Sequence, residues 1–371
     1  MAESPSVDAA VIGAGLVGSA VALGLARAGR RVVLLDEGED RWHASGGNFG
    51  LVWVQGKGAT SSTYAAWTRA AAEAWPAFAD DLGEVAGIDV AYRKTGGLSL
   101  FLDEADLEAR ATVIKRMHNQ PAPGANDTEI LHAAELHRLV PGLGPKVVGA
   151  SFCPHDGHTE PLRLLQALQT ALVREGGSIR RGFRVSGIEA GGGFRVQSES
   201  CTIEAASVVL AAGLGNAALA PLVGLTAPLR PERGQILVTQ RLPEFCPYAC
   251  HRFRQTADGT VMLGDTHEAV GLDTGTTQAA TRDLAAYAAA CFPALANARV
   301  LRQWGALRVL SPDGLPIYAQ SQHHPGAFLV TCHSGVTLAA VHAGPLAAAI
   351  ARGRLPAEVA AFAPERFAGA A

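Results

Sequence analysis

A glycine-rich turn near the N-terminus constrains the fold of this 371-residue chain more than any other feature. Gly13, Gly15 and Gly18 form the pattern G-x-G-x-x-G between a short apolar run and a stretch of helical composition, and a second apolar run then ends in Asp36. The first glycine permits a tight turn, the second lets the backbone approach a pyrophosphate, and the third lets the helix pack closely. The pattern therefore predicts a dinucleotide site at a helix N-terminus.

The fingerprint by itself leaves two cofactors open. NAD and FAD share the adenosine half that this motif binds, so the motif does not distinguish them. The acid at the end of the second strand suits a ribose with free hydroxyls and argues against a bound 2′-phosphate. Other parts of the chain have to decide between NAD and FAD.

The segment 44–58 combines five glycines with the large apolar side chains of Leu51 to Val54. An NAD enzyme would normally continue from Asp36 into a plain strand and helix. Small residues such as Ser45 to Asn48 instead suit a backbone that wraps a second phosphate and lies along a ring system. Exposure of the apolar half would be costly. We therefore predict burial against a flavin, with a glycine-rich surface loop as the alternative.

A second glycine turn near the C-terminus also favours a flavin. Residues 327–331 are predicted to form a strand, 332–335 a turn, and 336–352 an alanine-rich helix. A helix N-terminus, or donors in the turn, would stabilise the negative charge that a flavin gains on reduction. An ordinary strand-to-helix turn is the alternative. A third turn, at Ala212 and Gly213 after a buried strand, is expected to end near the cofactor as well.

Composition excludes several functional classes. A formal net charge of -3 without a basic cluster gives no reason to expect nucleic acid or an anionic membrane as a partner. No apolar run reaches the length of about 18 residues that a membrane span needs. The first apolar run follows an acidic, polar start, so we expect a cytoplasmic protein without a signal peptide. The six cysteines lack metal-site spacing, and no metal is predicted.

Together, these motifs resemble those of the D-amino acid oxidase (DAO) family of FAD-dependent amine oxidoreductases, which includes glycine oxidase and sarcosine oxidase. The similarity covers nearly the whole chain, through VIGAGLVGSAVALGLARAG, VVLLDEG, SGGNFG, DGHTEPLRLLQAL, VVLAAG, RPERGQILV, WGALRVLSPDGLPI and HSGVTLA. Within the family, GNFGLVWVQGKG and CHSGVTLAAVHAG look most like the FAD-bearing β-subunits of D-hydroxyproline and opine (octopine, nopaline) dehydrogenases. The hydrogen cyanide synthase subunit looks like a near relative.

The resemblance implies an α/β plus α+β fold with two domains, of the glutathione reductase type. A discontinuous, Rossmann-like FAD-binding domain is expected at 1–85, 149–221 and 303–371. A substrate domain around an antiparallel sheet is expected at 86–148 and 222–302. Further predicted elements are strands at 97–102, 234–239 and 259–264, a helix over 156–174, and a strand at 183–185 that would meet the adenine through its backbone.

The motifs and the resemblance together predict which residues contact FAD. These residues are Gly13, Gly15, Leu16, Val17, Gly18, Asp36, Glu37, Ser45, Gly46, Gly47, Asn48, Gly50, Leu51, Val185, Ala212, Gly213, His333, Ser334, Gly335, Val336 and Thr337. Whether the flavin is covalently attached stays open at this point.

Four residues are candidates for the substrate end of the site. Arg308 lies between apolar neighbours and needs a partner, because an unpaired desolvated guanidinium is costly. That partner is either Asp313 or, as the resemblance implies, a substrate carboxylate held bidentately. Tyr248 and His251 fall near a position where related oxidases contact substrate, and His333 falls at the flavin-facing turn. A packed aromatic ring and surface histidines are the alternatives for these three.

The reaction implied by the resemblance is hydride transfer from the substrate Cα to flavin N5, which oxidises an amine to an imine. Positioning supplies most of the catalysis in such a step. Sarcosine oxidase-like members use a lysine to promote reaction with oxygen, and this chain has no lysine after Lys146. The expectation is therefore a dehydrogenase that passes electrons to partner subunits carrying an iron-sulfur centre or a second flavin. A stand-alone oxidase producing hydrogen peroxide and a non-catalytic FAD-holding subunit are the alternatives.

Overall fold

The N-terminal strand, turn, helix and second strand fold as the sequence predicts. Strand β1 (Val7–Ile12) leads through the glycine turn into helix α1 (Leu16–Arg27), and strand β2 (Val32–Asp36) then pairs with β1 in parallel. Both strands are almost wholly buried, which is why each is a continuous apolar run rather than an alternating one.

The structure is a computed structural model that describes residues 6–38, 44–120 and 127–368. The remaining helices are α2 (Ser62–Ala86), α3 (Glu104–His118), α4 (Ala133–Leu139), α5 (Pro161–Arg174), α6 (Asn216–Leu219), α7 (Gln278–Cys291), α8 (Ala339–Val341) and α9 (Ala347–Ala351). The remaining strands are β3 (Leu51–Val52), β4 (Gly97–Phe101), β5 (Glu129–His132), β6 (Gly149–Cys153), β7 (Gly157–His158), β8 (Ser178–Arg181), β9 (Gly187–Ala190), β10 (Phe194–Gln197), β11 (Thr202–Leu210), β12 (Arg230–Thr239), β13 (Ala249–Cys250), β14 (Phe253–Gln255), β15 (Val261–Leu263), β16 (Val300–Leu310), β17 (Ile317–Gln320) and β18 (Ala327–Thr331).

The main sheet has the strand order β17-β18-β11-β1-β2-β8, with β10 and β9 attached beside β11. The strands from β18 to β8 pair in parallel, whereas β17 is antiparallel to β18. Since parallel strands end at the same edge of a sheet, the turns after β1, β11 and β18 meet there. This edge brings together the three glycine turns of the sequence.

Two smaller sheets make up the substrate side of the molecule. One is antiparallel, with the order β14-β15-β12-β16, and the other has the order β13-β4-β6-β5. The expected α/β plus α+β fold is thus confirmed. Strands β6 and β16 belong to these sheets and begin at 149 and 300, so we propose moving the domain boundaries past them. The division into two domains itself remains a proposal, and the outermost residues, 1–5 and 369–371, lie outside the described part.

Two sequence predictions about single elements are wrong. The predicted helix over 156–174 begins only at Pro161, because Gly157 and His158 pair with β3 and proline favours the first helical position. Residues 183–185 are not a strand. There the backbone makes a single hydrogen bond to the end of β2, from the Phe183 N–H to the Asp36 carbonyl at 2.7 Å.

The predicted long C-terminal helix, 336–352, is also wrong in its continuity. Residues 335–338 form a turn, α8 follows as a short helix, and a wider π-type segment at His342–Leu346 separates α8 from α9. Gly344 has non-helical dihedral angles, φ -98° and ψ -109°, directly before Pro345. Proline has no N–H to donate and its ring clashes with the preceding turn, which explains the break.

The apolar half of the segment 44–58 is buried, as predicted. Val52, Trp53 and Val54 are 0%, 7% and 9% exposed. Val52 and Val54 pack in a core cluster with residues of α1, α2 and α5. A search of the described helices finds none with the length and apolarity that crossing a membrane requires.

Helix α1 packs unusually closely on the broken C-terminal segment, and Gly24 marks the contact. A Cβ at Gly24 would lie 2.1 Å from the Ala343 carbonyl oxygen and 2.5 Å from the Ala347 Cβ. Gly83, in the last turn of α2, instead has open space around its Cα, with one neighbouring atom at 3.7 Å.

We predict that Gly24→Ala lowers the free energy of unfolding by about 1–3 kcal/mol, because the added methyl group forces the two backbones apart. Gly83→Ala is the matched control and should raise the same quantity by about 0.5–1 kcal/mol, the ordinary gain for alanine over glycine in a helix. Denaturant unfolding measures both. Equal effects of the two substitutions would contradict the close contact.

Candidate active site

The first glycine turn has a geometry that excludes side chains at two of its three glycines. Gly13 has φ +104°, and a Cβ there would lie 2.5 Å from the Ala211 carbonyl oxygen. A Cβ at Gly18 would lie 1.9 Å from the Gly13 carbonyl oxygen. Gly15 caps α1 with no side chain, and the first turn of α1 contains no acid. The helix N-terminus is thus built to receive an anion.

Asp36 and Ser45 both contact this turn. The Asp36 carboxylate accepts hydrogen bonds from the N–H of Ala14 at 2.7 Å and of Gly38 at 2.9 Å. The Ser45 hydroxyl accepts from the N–H of Leu16 at 2.9 Å. Glu37 points elsewhere: it is exposed and forms a loose ion pair with Arg184 at 3.7 Å.

The segment from Gly47 to Gly50 is held by the substrate side of the molecule. A Cβ at Gly47 would lie 2.4 Å from the Ala306 Cβ, and the Asn48 side chain accepts the Gly50 N–H at 2.7 Å. The buried Arg254 donates to the Phe49 carbonyl at 2.6 Å and pairs with Glu160 at 2.9 Å. These contacts place the segment between the main sheet and the strand β16.

The C-terminal turn leaves three consecutive backbone donors free. Throughout 6–38, 44–120 and 127–368, no hydrogen bond uses the N–H of Gly335, Val336 or Thr337, although all three residues are buried. A Cβ at Gly335 would lie 3.3 Å from Val17, so the turn abuts the start of α1. Free buried N–H groups at a turn suit a carbonyl oxygen or a developing anion. Such a site fits the pyrimidine end of a flavin.

Thr337 fixes this turn to the glycine-rich segment. Its hydroxyl accepts the Trp53 N–H at 3.1 Å and lies 3.4 Å from the Leu51 carbonyl, while its own carbonyl accepts the Trp75 indole N–H at 2.9 Å. Ser334 meets the Tyr64 hydroxyl at 2.8 Å and accepts a short hydrogen bond from Lys57 Nζ.

The remaining predicted cofactor residues are placed less decisively. Gly213 has φ +56° and Ala212 donates its N–H to the Asn216 side chain at 3.0 Å, so they form the turn after β11 at the same sheet edge as Gly13. Val185 packs against the core cluster beside β2. Cys332, next to the flavin-facing turn, has its pKa raised to about 12 by burial, which disfavours the thiolate needed for covalent attachment.

Arg308 lies in an acidic cluster that sequence reasoning missed. Its Nη1 donates to the Thr266 carbonyl at 2.6 Å, and it forms long ion pairs with Glu232 at 3.4 Å and Asp265 at 3.6 Å. Its Nε and Nη2 donate no hydrogen bond among the described residues. The suggested partner Asp313 is wrong, since Asp313 pairs with Arg366 at 2.8 Å.

His267 bridges the two acids of this cluster. Its Nδ1 lies 2.7 Å from Glu232 Oε1 and its Nε2 lies 2.9 Å from Asp265 Oδ1. Asp265 raises the pKa of His267 through that hydrogen bond. Burial opposes ionisation of Asp265, but the hydrogen bond from His267 and the charges of His251, His267 and Arg308 lower the pKa of Asp265 to about 2.

Two of the three other candidate residues join this cluster. His251 Nδ1 lies 3.5 Å from Asp265 Oδ2, and its ring centroid is 5.8 Å from that of Trp53. Crowding by the protein and the positive charges of Lys57 and Arg308 lower the pKa of His333, so its imidazole is neutral at neutral pH. Tyr248 instead packs edge-on against Phe152 with ring centroids 5.7 Å apart, which supports its alternative role as a packed aromatic residue.

A cavity of about 480 Å³ opens beside His251 and Trp53. Its lining also includes Gln55, Arg110, Arg252 and Tyr287. Within the described residues, no group of three or more His, Cys, Asp or Glu side chains is arranged to hold a metal ion.

One backbone signal marks the acidic cluster, although the sequence does not show it. Asp265 adopts φ +78°, a conformation that non-glycine residues rarely take and that concentrates at functional sites. Glu232 and Arg308 are register partners across the antiparallel pair β12 and β16. This pairing could have been anticipated only with the register of the two strands in hand.

The family comparison decides which cofactor this geometry serves. Residues 8–349 match the model of the DAO family, described as FAD dependent oxidoreductase. The chain belongs to this family. Together with the two fitted turns, this makes it an FAD-dependent oxidoreductase, and the expectation of FAD rather than NAD is confirmed.

Individual members of the DAO family are similar over most of the chain. The B-type subunit of an opine oxidase from Agrobacterium tumefaciens (strain Ach5) is 42% identical over 362 residues, which cover 97% of this chain and 98% of the relative. A glycine oxidase from Bacillus licheniformis is 27% identical over 320 residues, 83% of each chain. The crystal structure of glycine oxidase from Geobacillus kaustophilus shares the fold with a TM-score of 0.88, at 23% identity, over 96% of this chain and 98% of the other.

We predict that Gly15→Ala weakens FAD binding by about tenfold or more, equivalent to about 1.4 kcal/mol. A Cβ at Gly15 would lie 2.8 Å from the Ser45 hydroxyl, at the point where a phosphate would approach, and its φ of -71° is open to alanine. Titration of the flavin-free protein with FAD measures the affinity. Gly191→Ala, at a glycine with no atom within 4 Å of the added Cβ, is the control. Unchanged affinity in Gly15→Ala would contradict this placement.

Proposed function

We propose that this protein oxidises the C–N bond of a carboxylated amine: a D-amino acid, a cyclic imino acid such as D-proline or D-hydroxyproline, or an opine-type acid. The observation that carries the proposal is the Arg308 cluster, in which a guanidinium with a free donor edge lies beside two acids and neutral His333. The similarity to an opine oxidase supports an opine-type substrate, and the similarity to glycine oxidase supports an amino acid.

Arg308 would bind the substrate carboxylate. Its Nη1 is anchored to the Thr266 carbonyl, while Nε and Nη2 form the edge that accepts a carboxylate bidentately. Gly234 makes room for the guanidinium, since a Cβ there would lie 2.8 Å from it. The long ion pairs to Glu232 and Asp265 hold the guanidinium in place without occupying that edge.

Glu232 and Asp265 would suit a positive charge on the same substrate. A ligand that brought only a carboxylate to this cluster would meet two further carboxylates and be repelled. A zwitterionic or cationic amino acid pairs with both signs of charge. An opine-type acid, with an amino acid on each side of one secondary amine, has the length to do so.

The FAD contacts proposed for the chain follow from the two turns. The glycine turn and α1 would bind the pyrophosphate, Asp36 the ribose, and the turn 334–337 the pyrimidine end of the ring. Bound FAD supplies the hydride acceptor. The neutral imidazole of His333 can take the proton that a substrate ammonium must lose before its Cα–H is reactive.

We further propose that the electrons leave for a partner protein. A relative that is itself named as one subunit of an oxidase supports an assembly, and a partner with an iron-sulfur centre or a second flavin would suit a chain whose cysteines lack cluster spacing. The alternatives are a stand-alone oxidase of glycine, sarcosine or D-amino acids that makes hydrogen peroxide, and an FAD-holding subunit without catalysis.

An anaerobic titration tests the proposed activity. The purified, FAD-loaded chain is mixed in turn with D-proline, trans-4-hydroxy-D-proline, sarcosine, glycine and octopine while the flavin absorbance is recorded. We expect bleaching by at least one of these acids. Bleaching by none would favour the non-catalytic subunit, and re-oxidation by air within seconds would favour the oxidase.

We predict that Arg308→Ala retains FAD but loses on the order of 3 kcal/mol of transition-state stabilisation for carboxylated substrates, about a hundredfold in kcat/KM. The loss should be small for the same amine without its carboxylate. Arg302→Ala, at an exposed position on the same strand, is the control. An unchanged kcat/KM in Arg308→Ala would remove Arg308 from the substrate site.

A further inference from the structure

Lys57 is positioned tightly by the backbone of the segment 44–58. It lies between Gly56, with φ +79°, and Gly58, with φ +77°. A Cβ at Gly58 would lie 2.3 Å from the N atom of Ala65 in α2, so the loop is pressed against that helix. The Lys57 N–H donates to the Val54 carbonyl at 3.0 Å. The side chain is therefore directed by a close-packed turn rather than by a free surface loop.

The Lys57 ammonium meets only neutral partners. Nζ donates to the Ser334 hydroxyl, which also bonds to the Tyr64 hydroxyl, and Nζ lies 6.0 Å from the Tyr64 ring centroid. In the part of the chain that the structure describes, Lys57 forms no salt bridge. A half-buried ammonium without a counter-ion is unfavourable unless an anion is bound there in the working protein.

The nearest acid does not neutralise Lys57. Asp156 acts on it electrostatically, but the Asp156 carboxylate already accepts the backbone N–H groups of Val54 and Gln55 and the Gln55 side-chain amide. Burial lowers the pKa of Lys57 to about 8, so most of the side chain remains charged at neutral pH. The charge is thus directed at the turn that begins with Ser334.

We propose that Lys57, held against Ser334, supplies the positive charge that stabilises the anionic reduced flavin. The proposal rests on the proposed placement of the flavin ring against the turn 334–337. There the free N–H groups of Gly335, Val336 and Thr337 contribute partial charges, and Lys57 adds a full one. Stabilising the reduced form relative to the oxidised form raises the reduction potential of the cofactor.

Two measurements without amine substrate test this role. Sulfite adds to N5 of oxidised flavin and leaves negative charge on the ring, so sulfite affinity reports the same stabilisation as the midpoint potential. We expect Lys57→Met to weaken sulfite binding about tenfold and to lower the two-electron potential by the equivalent of about 30 mV. Lys57→Arg should stay near the unsubstituted protein, and Lys146→Met, at an exposed lysine, should change neither quantity.

A pH profile gives a second readout that needs no charge-removing variant. When Lys57 loses its proton above about pH 8 in the oxidised protein, reduction must restore that proton, so the potential falls more steeply with pH above this point. Lys57→Arg keeps its charge and should show no such break. The comparison remains informative if Lys57→Met fails to fold.

The outcomes separate this proposal from the proposed function. Wild-type sulfite affinity and potential in Lys57→Met, with no difference between the pH profiles, would overturn the role of Lys57. Slower re-oxidation by oxygen with an unchanged potential would also overturn it, since the lysine would then act on oxygen. Normal effects of Lys57 in a protein that no amine reduces would leave this inference standing and count against the substrate assignment alone.

Discussion

Thr337 is the residue on which the geometry of the proposed flavin site depends. Its hydroxyl contacts the backbone at Leu51 and Trp53, and its carbonyl holds the Trp75 indole of α2. Three separate parts of the chain, at sequence distances of more than 250 residues, are thereby fixed to one turn. The turn can leave its own N–H groups unpaired because those contacts, rather than a helix, hold it in place.

The sequence predicts the N-terminal half of the site well because local rules determine it. Steric exclusion at Gly13 and Gly18, and the acid after β2, are consequences of a short stretch of chain. Burial of residues 52–54 also follows from their composition. The predicted C-terminal helix is too long because its alanine-rich composition outweighs, in the sequence, the effect of Pro345, which breaks it in the structure.

The substrate end could not be predicted in the same way, because its residues come from different strands. Arg308 stands out through its sequence neighbours, but Glu232 reaches it only through the register of β12 and β16. Asp265 and His267 follow β15 and join from a third direction. No sequence pattern states which strands are adjacent or in what register. Tyr248, suggested by sequence proximity alone, packs away from the cluster.

The backbone at Asp265 has a consequence for the evolution of such a site. Its φ of +78° is comfortable for glycine and costs a non-glycine residue on the order of 1–3 kcal/mol. Glycine there would relieve the strain but would also remove the carboxylate that holds His267 and faces Arg308. Stability and function thus make opposite demands on one residue, and a search for more stable variants would select against the charge that the site uses.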